Sequence, residues 1–243
     1  MKLYSVYDIR AEFVRQWEWA MKSYGSQDRH DIEGEQPLEI INAVFTADEP
    51  YIFCKPNEDY IQRELDWYMS QSLNVYDIPG KIPAIWKDVA DRDGFINSNY
   101  GWCIYSEENC NQYRNCLKQL LEDKDTRRAC MIYNRPSMQY DYHSNGMSDF
   151  MCTFATQQFI RQGQLVYLVY MRSNDAVFGY RNDYAFHRTV ADKLNEDLKA
   201  NGYELTDTPK IIWNAGSLHV YPRHWKFIEQ YYDSQLHENI KTL

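Results

Sequence analysis

The stretch from Phe154 to Arg172 constrains the fold more than any other, because it holds two strand-like runs with a very short connection. The runs are "FATQQFI" and "LVYLVYMR", and only "RQGQ" lies between them. A short polar connection that contains glycine, placed between two runs of this composition, predicts a β-hairpin. We therefore expect the chain to fold around a sheet that contains this hairpin.

Helix-type and strand-type patterns are interspersed along the rest of the chain. Helical patterns cover residues 7–25, 57–72, 107–123, about 183–202 and 222–236, and strand patterns cover residues 38–45, 129–134 and 210–221. The order does not follow a strict β-α-β rhythm, which predicts an α+β layered fold around a sizeable sheet. No Gly-, Ser- or Pro-rich linker divides the 243 residues, so we expect one domain over 1–243.

Composition argues against several classes of protein. The formal net charge is -9, whereas a protein that binds nucleic-acid polymers normally carries a basic face. A few placed arginines can still hold one phosphate of a small molecule. The cysteines form no C-x-x-C pair and the histidines no H-E-x-x-H motif, so we expect no metal site. The charged start "MKLYSVYDIRAEF" is unlike a signal peptide and no apolar run is long enough to span a membrane, so we expect a cytoplasmic protein with reduced thiols.

Cys152 is the strongest candidate for a nucleophile. It follows the turn-like "SNGMSD" and precedes a predicted strand, so its thiol can face a cavity at the edge of that strand. The alternative is a buried structural cysteine, the usual role of this residue type. A thiolate needs nearby positive charge, for which Arg127, Arg128 and Arg172 are candidates. Adjacent arginines such as the first two also occur as solvated patches.

Two carboxylates stand in unusual surroundings. Glu64 lies on a predicted helix face between Tyr60 and Trp67, so its carboxylate has either a partner or a raised pKa. A buried salt bridge explains this placement as well as catalysis does. Asp183 falls in the predicted first turn of a helix, where the helix dipole favours an ionised carboxylate. Such a group suits a substrate N–H, although complementing the dipole is the ordinary role of an aspartate there.

His219 and Tyr221 form a third candidate group. Because side chains alternate along a strand, the two residues point to the same side of the predicted strand over 210–221. They form either one polar face of the sheet or a pair of hydrogen-bonding groups for a sugar hydroxyl.

The order of these residues along the chain strongly resembles the thymidylate synthase superfamily. The matching motifs, which span about residues 47–225, are Arg127-Arg128, Cys152-x4-Gln157, Arg172-Ser173-x-Asp175-x3-Gly179-x3-Asp183 and His219-x-Tyr221, with "ELDW", "IW" and "NYG" upstream. Several spaced motifs that agree in order make the resemblance specific. The runs "YIQRELDWY", "GMSDFMCT" and "MRSNDAVFGYRNDYA" look closest to the superfamily's branch of deoxycytidylate hydroxymethylases from T-even-type bacteriophages.

The resemblance implies both a fold and a reaction. The implied fold is a large mixed β-sheet flanked by helices, with sheet faces that pair in a homodimer. The implied reaction transfers a carbon unit from 5,10-methylenetetrahydrofolate to C5 of dCMP and adds water. Its products are 5-hydroxymethyl-dCMP, for modified phage DNA, and tetrahydrofolate. A thiolate that adds to C6 makes C5 nucleophilic, and the resemblance assigns this attack to Cys152.

The resemblance also implies roles for the remaining residues. Glu64 would order water and move protons. Asp183 would accept hydrogen bonds from cytosine, where thymidylate synthases use an asparagine for uracil. Asn182 stands beside it, but the spacing from Gly179 favours Asp183. The other implied roles are phosphate binding by Arg172 and Ser173 and, across the dimer interface, by Arg127 and Arg128; substrate binding by Gln157; sugar binding by His219 and Tyr221; and folate contact by Trp86, Asp175 and Tyr100.

Two departures from thymidylate synthases bear on the outcome of the reaction. Thr153 stands where those enzymes usually have a histidine, and the end "SQLHENIKTL" has no clear counterpart of their apolar tail. Both differences favour addition of water over hydride transfer. Arg29 is a further phosphate candidate, although the pattern around it is poor.

Several alternatives stay open from the sequence. Within enzymes they are a dCMP methyltransferase and a relative specific for dUMP or CMP. In another class, the protein is a non-catalytic nucleotide-binding homologue. A cysteine hydrolase has the least support, because no histidine has a motif context that suggests a base. The joint presence of Cys152, Glu64 and Asp183 favours an enzyme.

Overall fold

The interspersed helix and strand patterns correspond to real elements in the computed structural model, which describes residues 3–24 and 36–241. The arrangement is α+β, as the sequence predicts. In chain order the elements are α1 (Val6–Tyr24), β1 (Leu38–Thr46), α2 (Glu58–Ser70), α3 (Ala84–Val89), α4 (Tyr100–Tyr105), α5 (Gln112–Glu122), β2 (Cys130–Ile132), α6 (Met138–Asp141), β3 (Thr153–Arg161), β4 (Gln164–Asp175), α7 (Gly179–Ala200), β5 (Lys210–Val220) and α8 (Trp225–Lys241).

The five strands form a mixed sheet in the order β1-β5-β4-β3-β2. Strands β4 and β5 run parallel, and the other neighbouring pairs are antiparallel. An antiparallel pair can be joined by a tight turn, whereas a parallel pair needs a crossover connection. The long helix α7 is the crossover between β4 and β5.

The hairpin predicted at the centre of the chain is confirmed. Arg161 pairs with Gln164, and the two residues between them, Gln162 and Gly163, have φ values of 54° and 70°. Two consecutive residues with positive φ form the tight turn whose twist matches that of the strands it joins. Glycine takes such a backbone without a steric penalty, which explains its position in "RQGQ".

Two helices begin later than the sequence pattern indicates. The helix expected over 107–123 begins at Gln112, because Cys110 and Asn111 take positive φ and the Asn111 side chain caps the amide of Arg114. The last helix begins at Trp225, after a 3-10 turn that contains the proline. In both cases a turn replaces the expected first turn of the helix.

Helix α7 begins earlier than predicted, at Gly179 rather than near Asp183. Asp183 therefore lies in the second turn of α7, and our placement of it in the first turn was wrong. The predicted end near Gly202 is confirmed, since this glycine follows the last turn with φ 92°. The predicted apolar stripe of this helix is fully buried and consists of Val190, Leu194 and Leu198.

The two faces of the sheet differ in burial. On β4, the side chains of Tyr167 and Val169 are fully buried, whereas those of Val166 and Leu168, which alternate with them, are half-buried. Helix α7 packs on β4. No helix in the described part of the chain has the length and apolar character needed to cross a membrane.

Candidate active site

The sheet topology brings the ends of three strands together. Because β4 and β5 are parallel, their carboxyl ends lie at the same edge, and Asp175 pairs with His219 there. Because β3 is antiparallel to β4, its beginning lies at this edge too, and the amide of Arg172 donates to the carbonyl of Cys152 at 2.7 Å. Candidate residues that are far apart in the sequence thus meet at one edge of the sheet.

Arg172 lies beside the Cys152 thiol. Its Nη2 atom is 3.7 Å from Sγ and donates to the Phe150 carbonyl at 3.3 Å. The guanidinium also lies 5.0 Å from the centre of the Phe150 ring. A positive charge held this close is what a thiolate needs, and it comes from one of the three arginines that the sequence offers.

The Cys152 thiol nevertheless holds its proton in the free site. Burial raises its pKa to about 11, the charge of Asp183 adds to the rise, and Arg172 opposes it. Nucleophilic attack by this sulfur therefore requires a proton to leave when the substrate enters.

Asp183 is held by a strand and a helix. The amide nitrogen of Asn174, a buried residue of β4, donates to Asp183 Oδ2 at 2.7 Å. Tyr100 also forms a hydrogen bond with this carboxyl group. The side chain of Asp183, rather than that of Asn182, is thus the one that Asn174 contacts.

Asp183 carries a proton at neutral pH in the free site. Burial raises its pKa to about 8, and the charge of Glu64 contributes to the same rise. The prediction that the helix dipole keeps this carboxylate ionised is wrong. The residue lies beyond the first turn and is buried near a second acid, and these effects outweigh the dipole.

Glu64 has both a partner and a raised pKa. The Tyr60 hydroxyl, one turn earlier on α2, donates to Glu64 Oε1. Trp86 Nε1 lies 3.1 Å from the same oxygen and 3.0 Å from the Tyr60 hydroxyl. Burial raises the pKa of Glu64, while the bonds from Tyr60 and Trp86 and the charge of Arg181 oppose the rise. Among the described residues Glu64 forms no ion pair, so a buried salt bridge does not explain it there.

Tyr100 joins the acid cluster to the strand that follows the thiol. Its ring stacks on Tyr68 with centres 5.3 Å apart, and its hydroxyl hydrogen-bonds with Asp183 and Thr153. Thr153 Oγ1 lies 3.5 Å from Nε2 of His187, whose burial lowers its pKa to about 3 and keeps it neutral. A histidine of α7 thus lies beside Thr153, the position at which the sequence resemblance implies a histidine.

Asp149 fastens the segment before Cys152 to the segment before Tyr100. Its Oδ2 accepts the amides of Asn97 and Ser98, each at 2.7 Å, and its Oδ1 accepts the Ser98 hydroxyl at 2.7 Å. Three hydrogen bonds to one buried carboxylate hold the two segments in a fixed relation.

His219 and Tyr221 lie together at the end of β5, as the alternation of the strand predicts. Their ring centres are 4.8 Å apart, and Ser217 Oγ lies 3.3 Å from His219 Nδ1. Ser173 is the register partner of Ser217 on β4. Asp175 accepts the amides of Val177 at 2.9 Å and Phe178 at 3.3 Å, so its carboxylate caps the turn that leads into α7.

Three predicted binding residues do not join this cluster within the chain. Gln157 lies five residues along β3 from Cys152, roughly 16 Å by the rise of a strand. Its Nε2 donates to the Arg127 carbonyl at 3.0 Å. Arg127 and Arg128 are exposed and lie at this remote part of the strand. The structure therefore places these three side chains together, but away from their own chain's thiol.

Sequence reasoning misses three residues that the structure places in or beside the site. Tyr60 reads as an apolar neighbour of Glu64, although the spacing of four residues on a helix could have indicated a hydrogen bond. Asn174 and Asp149 have no local signal, because their partners lie on other elements.

All six cysteines are free thiols. Within residues 3–24 and 36–241, no cluster of His, Cys, Asp and Glu side chains is arranged to hold a metal ion. Arg29 lies outside these ranges.

Comparison with known proteins agrees with this geometry. The family model described as thymidylate synthase matches residues 55–241. The chain is 53% identical over 205 residues to deoxycytidylate 5-hydroxymethyltransferase of Enterobacteria phage T2, covering 84% of this chain and 83% of the relative. It is 54% identical over 203 residues to the enzyme of the same name from phage T4, covering 83% of this chain and 82% of that one.

The fold is also similar to that of a solved structure. Thermostable thymidylate synthase A from Bacillus subtilis superposes with a TM-score of 0.59 at 25% sequence identity, covering 82% of this chain and 72% of the other. The chain belongs to the thymidylate synthase family. Its relatives from phages T2, T4 and T6, at 53–54% identity, all have the name deoxycytidylate 5-hydroxymethyltransferase.

Proposed function

We propose that this chain is a deoxycytidylate 5-hydroxymethyltransferase. It transfers a one-carbon unit from 5,10-methylenetetrahydrofolate to C5 of dCMP, adds water, and releases 5-hydroxymethyl-dCMP and tetrahydrofolate. The observation that carries this proposal is the placement of the Cys152 thiol beside Arg172, near an Asp183 carboxyl group held by Asn174, in a chain 53% identical to an enzyme of that name. The reaction supplies a modified nucleotide for phage DNA and takes place in the host cytoplasm.

The first step is attack by the Cys152 sulfur on C6 of the pyrimidine. The C5–C6 double bond opens, and C5 gains the electron density that it needs to attack a methylene carbon. The thiol must lose its proton for this step. Burial raises the pKa of Cys152 and Arg172 opposes the rise, so Arg172 stabilises the thiolate once the proton has left.

Asp183 selects cytosine through its own proton. With a pKa of about 8, it is neutral at physiological pH and donates its proton to N3 of cytosine. The other carboxyl oxygen accepts from the N4 amino group, so one side chain makes two complementary bonds. Uracil carries a proton at N3 and an oxygen at C4, so the carboxyl group could pair with it only by carrying its proton on the opposite oxygen. The buried Asn174 amide holds the carboxyl in place for this pairing.

Glu64 serves the second half of the reaction. Once the C5 proton and tetrahydrofolate have left, an exocyclic methylene group remains on the ring, and water adds to it. A buried carboxyl with a raised pKa is suited to exchange protons with that water. Trp86, Asp175 and Tyr100 are proposed to face the folate. The bond from Trp86 to Glu64 Oε1 connects this folate wall to the acid.

The nucleotide phosphate binds at the mouth of the site, and its sugar binds at the end of β5. Arg172 and Ser173 hold the phosphate, while His219 and Tyr221 hold the 3′-hydroxyl. Arg172 also lines, with Phe150 and Arg135, a cavity of about 340 Å³. Hydrogen bonds to a charged phosphate are stronger than neutral ones, so one arginine with a partner's help is enough.

A homodimer completes the phosphate site. Arg127, Arg128 and Gln157 lie roughly 16 Å along β3 from Cys152, too far to serve their own chain's phosphate. Outward-facing apolar side chains mark the same sheet, with Ile132 57% and Phe154 44% exposed. A two-fold pairing of sheets covers this surface and delivers both arginines to the other subunit's site.

One incubation tests the reaction. Purified protein receives dCMP and 5,10-methylenetetrahydrofolate, and C5-proton release, product mass and dihydrofolate absorbance are followed together. The expected product is heavier than dCMP by one formaldehyde unit, with no dihydrofolate formed. Dihydrofolate formation would instead indicate a methyltransferase, and proton release from dUMP but not dCMP would reverse the assignment of the base.

A further inference from the structure

The Glu64 carboxyl group is held through one of its two oxygens. Both the Tyr60 hydroxyl and Trp86 Nε1 donate to Oε1, and Trp86 Nε1 also lies 3.0 Å from the Tyr60 oxygen. Two donors from two helices therefore converge at a single carboxylate oxygen. An oxygen that accepts two hydrogen bonds holds a proton poorly, so the mobile proton of this group belongs on Oε2.

Tyr60 is well suited to hold this arrangement. Burial raises the pKa of its hydroxyl far above the ordinary value, with the charge of Glu64 adding to the rise, so the hydroxyl remains a donor at any working pH. Four residues separate it from Glu64 on α2, which places both side chains on one face of the helix. Arg63 packs on the outer side of the ring, 5.5 Å from its centre, and helps to fix its orientation.

We propose that Tyr60 is a positioning residue for the water-addition step: its hydroxyl, shared with Trp86, fixes Glu64 so that Oε2 receives the proton of the attacking water. This inference rests on the proposed function and adds to it a residue that the sequence motifs assign no role.

The step balances as follows. The water oxygen bonds to the exocyclic methylene carbon, and the electrons of the methylene–C5 double bond re-form the C5–C6 double bond. The C6–S bond breaks, and Cys152 leaves as a thiolate. The proton of the water passes to Glu64 Oε2. With no hydroxyl at residue 60, Glu64 has one donor fewer and can turn, so the adduct forms but is captured by water less often.

Other charged and titratable groups around Glu64 set the background of its titration. Arg181 of α7 lowers its pKa, and Asp183 of the same helix is a second acid whose own pKa Glu64 raises. Tyr68 on α2 and Tyr100 on α4 are buried phenols with strongly raised pKa values, so they stay neutral. The hydrogen bonds from Tyr60 and Trp86 also lower the pKa of Glu64, and one substitution can remove either of them.

The test is Tyr60→Phe, compared with the wild type and with Tyr7→Phe, which removes a hydroxyl from a 60% exposed ring on α1. The ratio of C5-proton release to hydroxymethylated product and the pH profile of kcat are measured for all three. We expect the ratio to rise at least about 3-fold in Tyr60→Phe alone. The acid limb of kcat should move up by about half a pH unit, because the lost bond stabilised the Glu64 carboxylate.

The outcomes separate this inference from the proposed function. If the wild type makes no hydroxymethylated product from dCMP, the proposed function fails. If the wild type turns over normally and Tyr60→Phe keeps both its ratio and its acid limb, Tyr60 only packs, and this inference is overturned. Should Tyr60→Phe fail to fold, Trp86→Phe decides, because it removes the second donor to Oε1. An upward shift of its acid limb supports the inference, and an unchanged limb refutes it.

Discussion

At the scale of single residues, Asp183 is the group to which we assign recognition of the base, and it lies close enough to Cys152 to affect the pKa of the thiol. Its pKa of about 8 reflects burial first and the neighbouring charge of Glu64 second. The same side chain raises the pKa of Cys152. A base that takes the proton of Asp183 and pairs with its carboxylate therefore alters the environment of the sulfur that attacks it. In the proposed reaction, recognition of cytosine and the protonation state of Cys152 would thus be linked through one carboxyl group.

Replacement of Asp183 by asparagine tests the selection of the base. An amide cannot give a proton to N3 of cytosine, but it can donate to O4 of uracil and accept from N3–H. We expect Asp183→Asn to lower kcat/KM for dCMP by about 100-fold or more and to raise C5-proton release from dUMP. Tritium release from both 5-tritiated nucleotides measures this. Unchanged preference for dCMP would contradict the proposed role.

Asp183→Asn should also change how the stability of the protein depends on pH. The pKa of Asp183 is about 8 in the folded chain and roughly 3.9 when unfolded, so between these values the folded state holds one more proton. Stability from this group is therefore full below pH 4 and lost as pH rises through 8. Because asparagine does not ionise, Asp183→Asn does not lose stability in this way as pH rises. Its melting temperature relative to the wild type should rise by roughly 3 °C or more between pH 5 and pH 9, as calorimetry can measure.

If the melting temperatures of Asp183→Asn and the wild type changed in parallel with pH, the assigned pKa of Asp183 would be contradicted. Asp233→Asn on α8 is the matched control, since this aspartate is exposed. The difference between its melting temperature and that of the wild type should be the same at every pH, because this side chain lies in solvent, outside the buried acid cluster.

At the scale of elements, the approach of α4 to α2 sets the position of the acid cluster. A Cβ atom added at Gly101 would lie 1.8 Å from the backbone oxygen of Tyr68. Helix α2 carries Glu64, and α4 begins at Tyr100, whose hydroxyl reaches Asp183. The absence of a side chain at one position thus lets two helices place their polar groups around the same space.

Gly101→Ala should therefore damage stability and the site together. The backbone of one helix must move by more than 1 Å, which costs about 3 kcal/mol or more. Gly163→Ala is the comparison, because its new methyl would lie 3.8 Å from the nearest atom and only the positive φ is strained, at about 1 kcal/mol. Urea denaturation of both variants measures the difference. If both variants lost the same free energy of unfolding, the close contact between Gly101 and Tyr68 would not be important for stability.

Local pattern predicts the elements but not the contacts between them. The hairpin follows from turn chemistry, and the stripe of α7 follows from helical spacing. The start of α7 does not, because the side chain of Asp175 caps residues that look like loop. The bond from Asn174 to Asp183 and those from Asp149 to distant amides depend on strand register and packing, which no local motif encodes. The resemblance to a family supplied the site residues, but not the raised pKa of Asp183.

At the scale of the whole molecule, the parallel pairing of β4 and β5 does most to create the site. It brings Asp175 next to His219, and the antiparallel β3 returns Cys152 to Arg172. The same sheet directs Arg127, Arg128 and Gln157 elsewhere, with an apolar surface around them. One sheet thus carries Cys152 and Arg172 at one edge and the proposed phosphate ligands Arg127 and Arg128 at another, an arrangement that the proposed two-fold dimer would complete.

Mixing of two inactive variants tests whether subunits share the site. Cys152→Ala lacks the nucleophile, and the double variant Arg127→Ala/Arg128→Ala lacks the donated arginines, so each homodimer is expected to be inactive or severely impaired. When equal amounts are unfolded together and refolded, half of the dimers should be mixed, and each has one site with both a cysteine and the arginines. We therefore expect about a quarter of wild-type kcat to return. If the arginines served their own chain, every mixed dimer would lack a complete site, and activity would stay at the level of the separate variants.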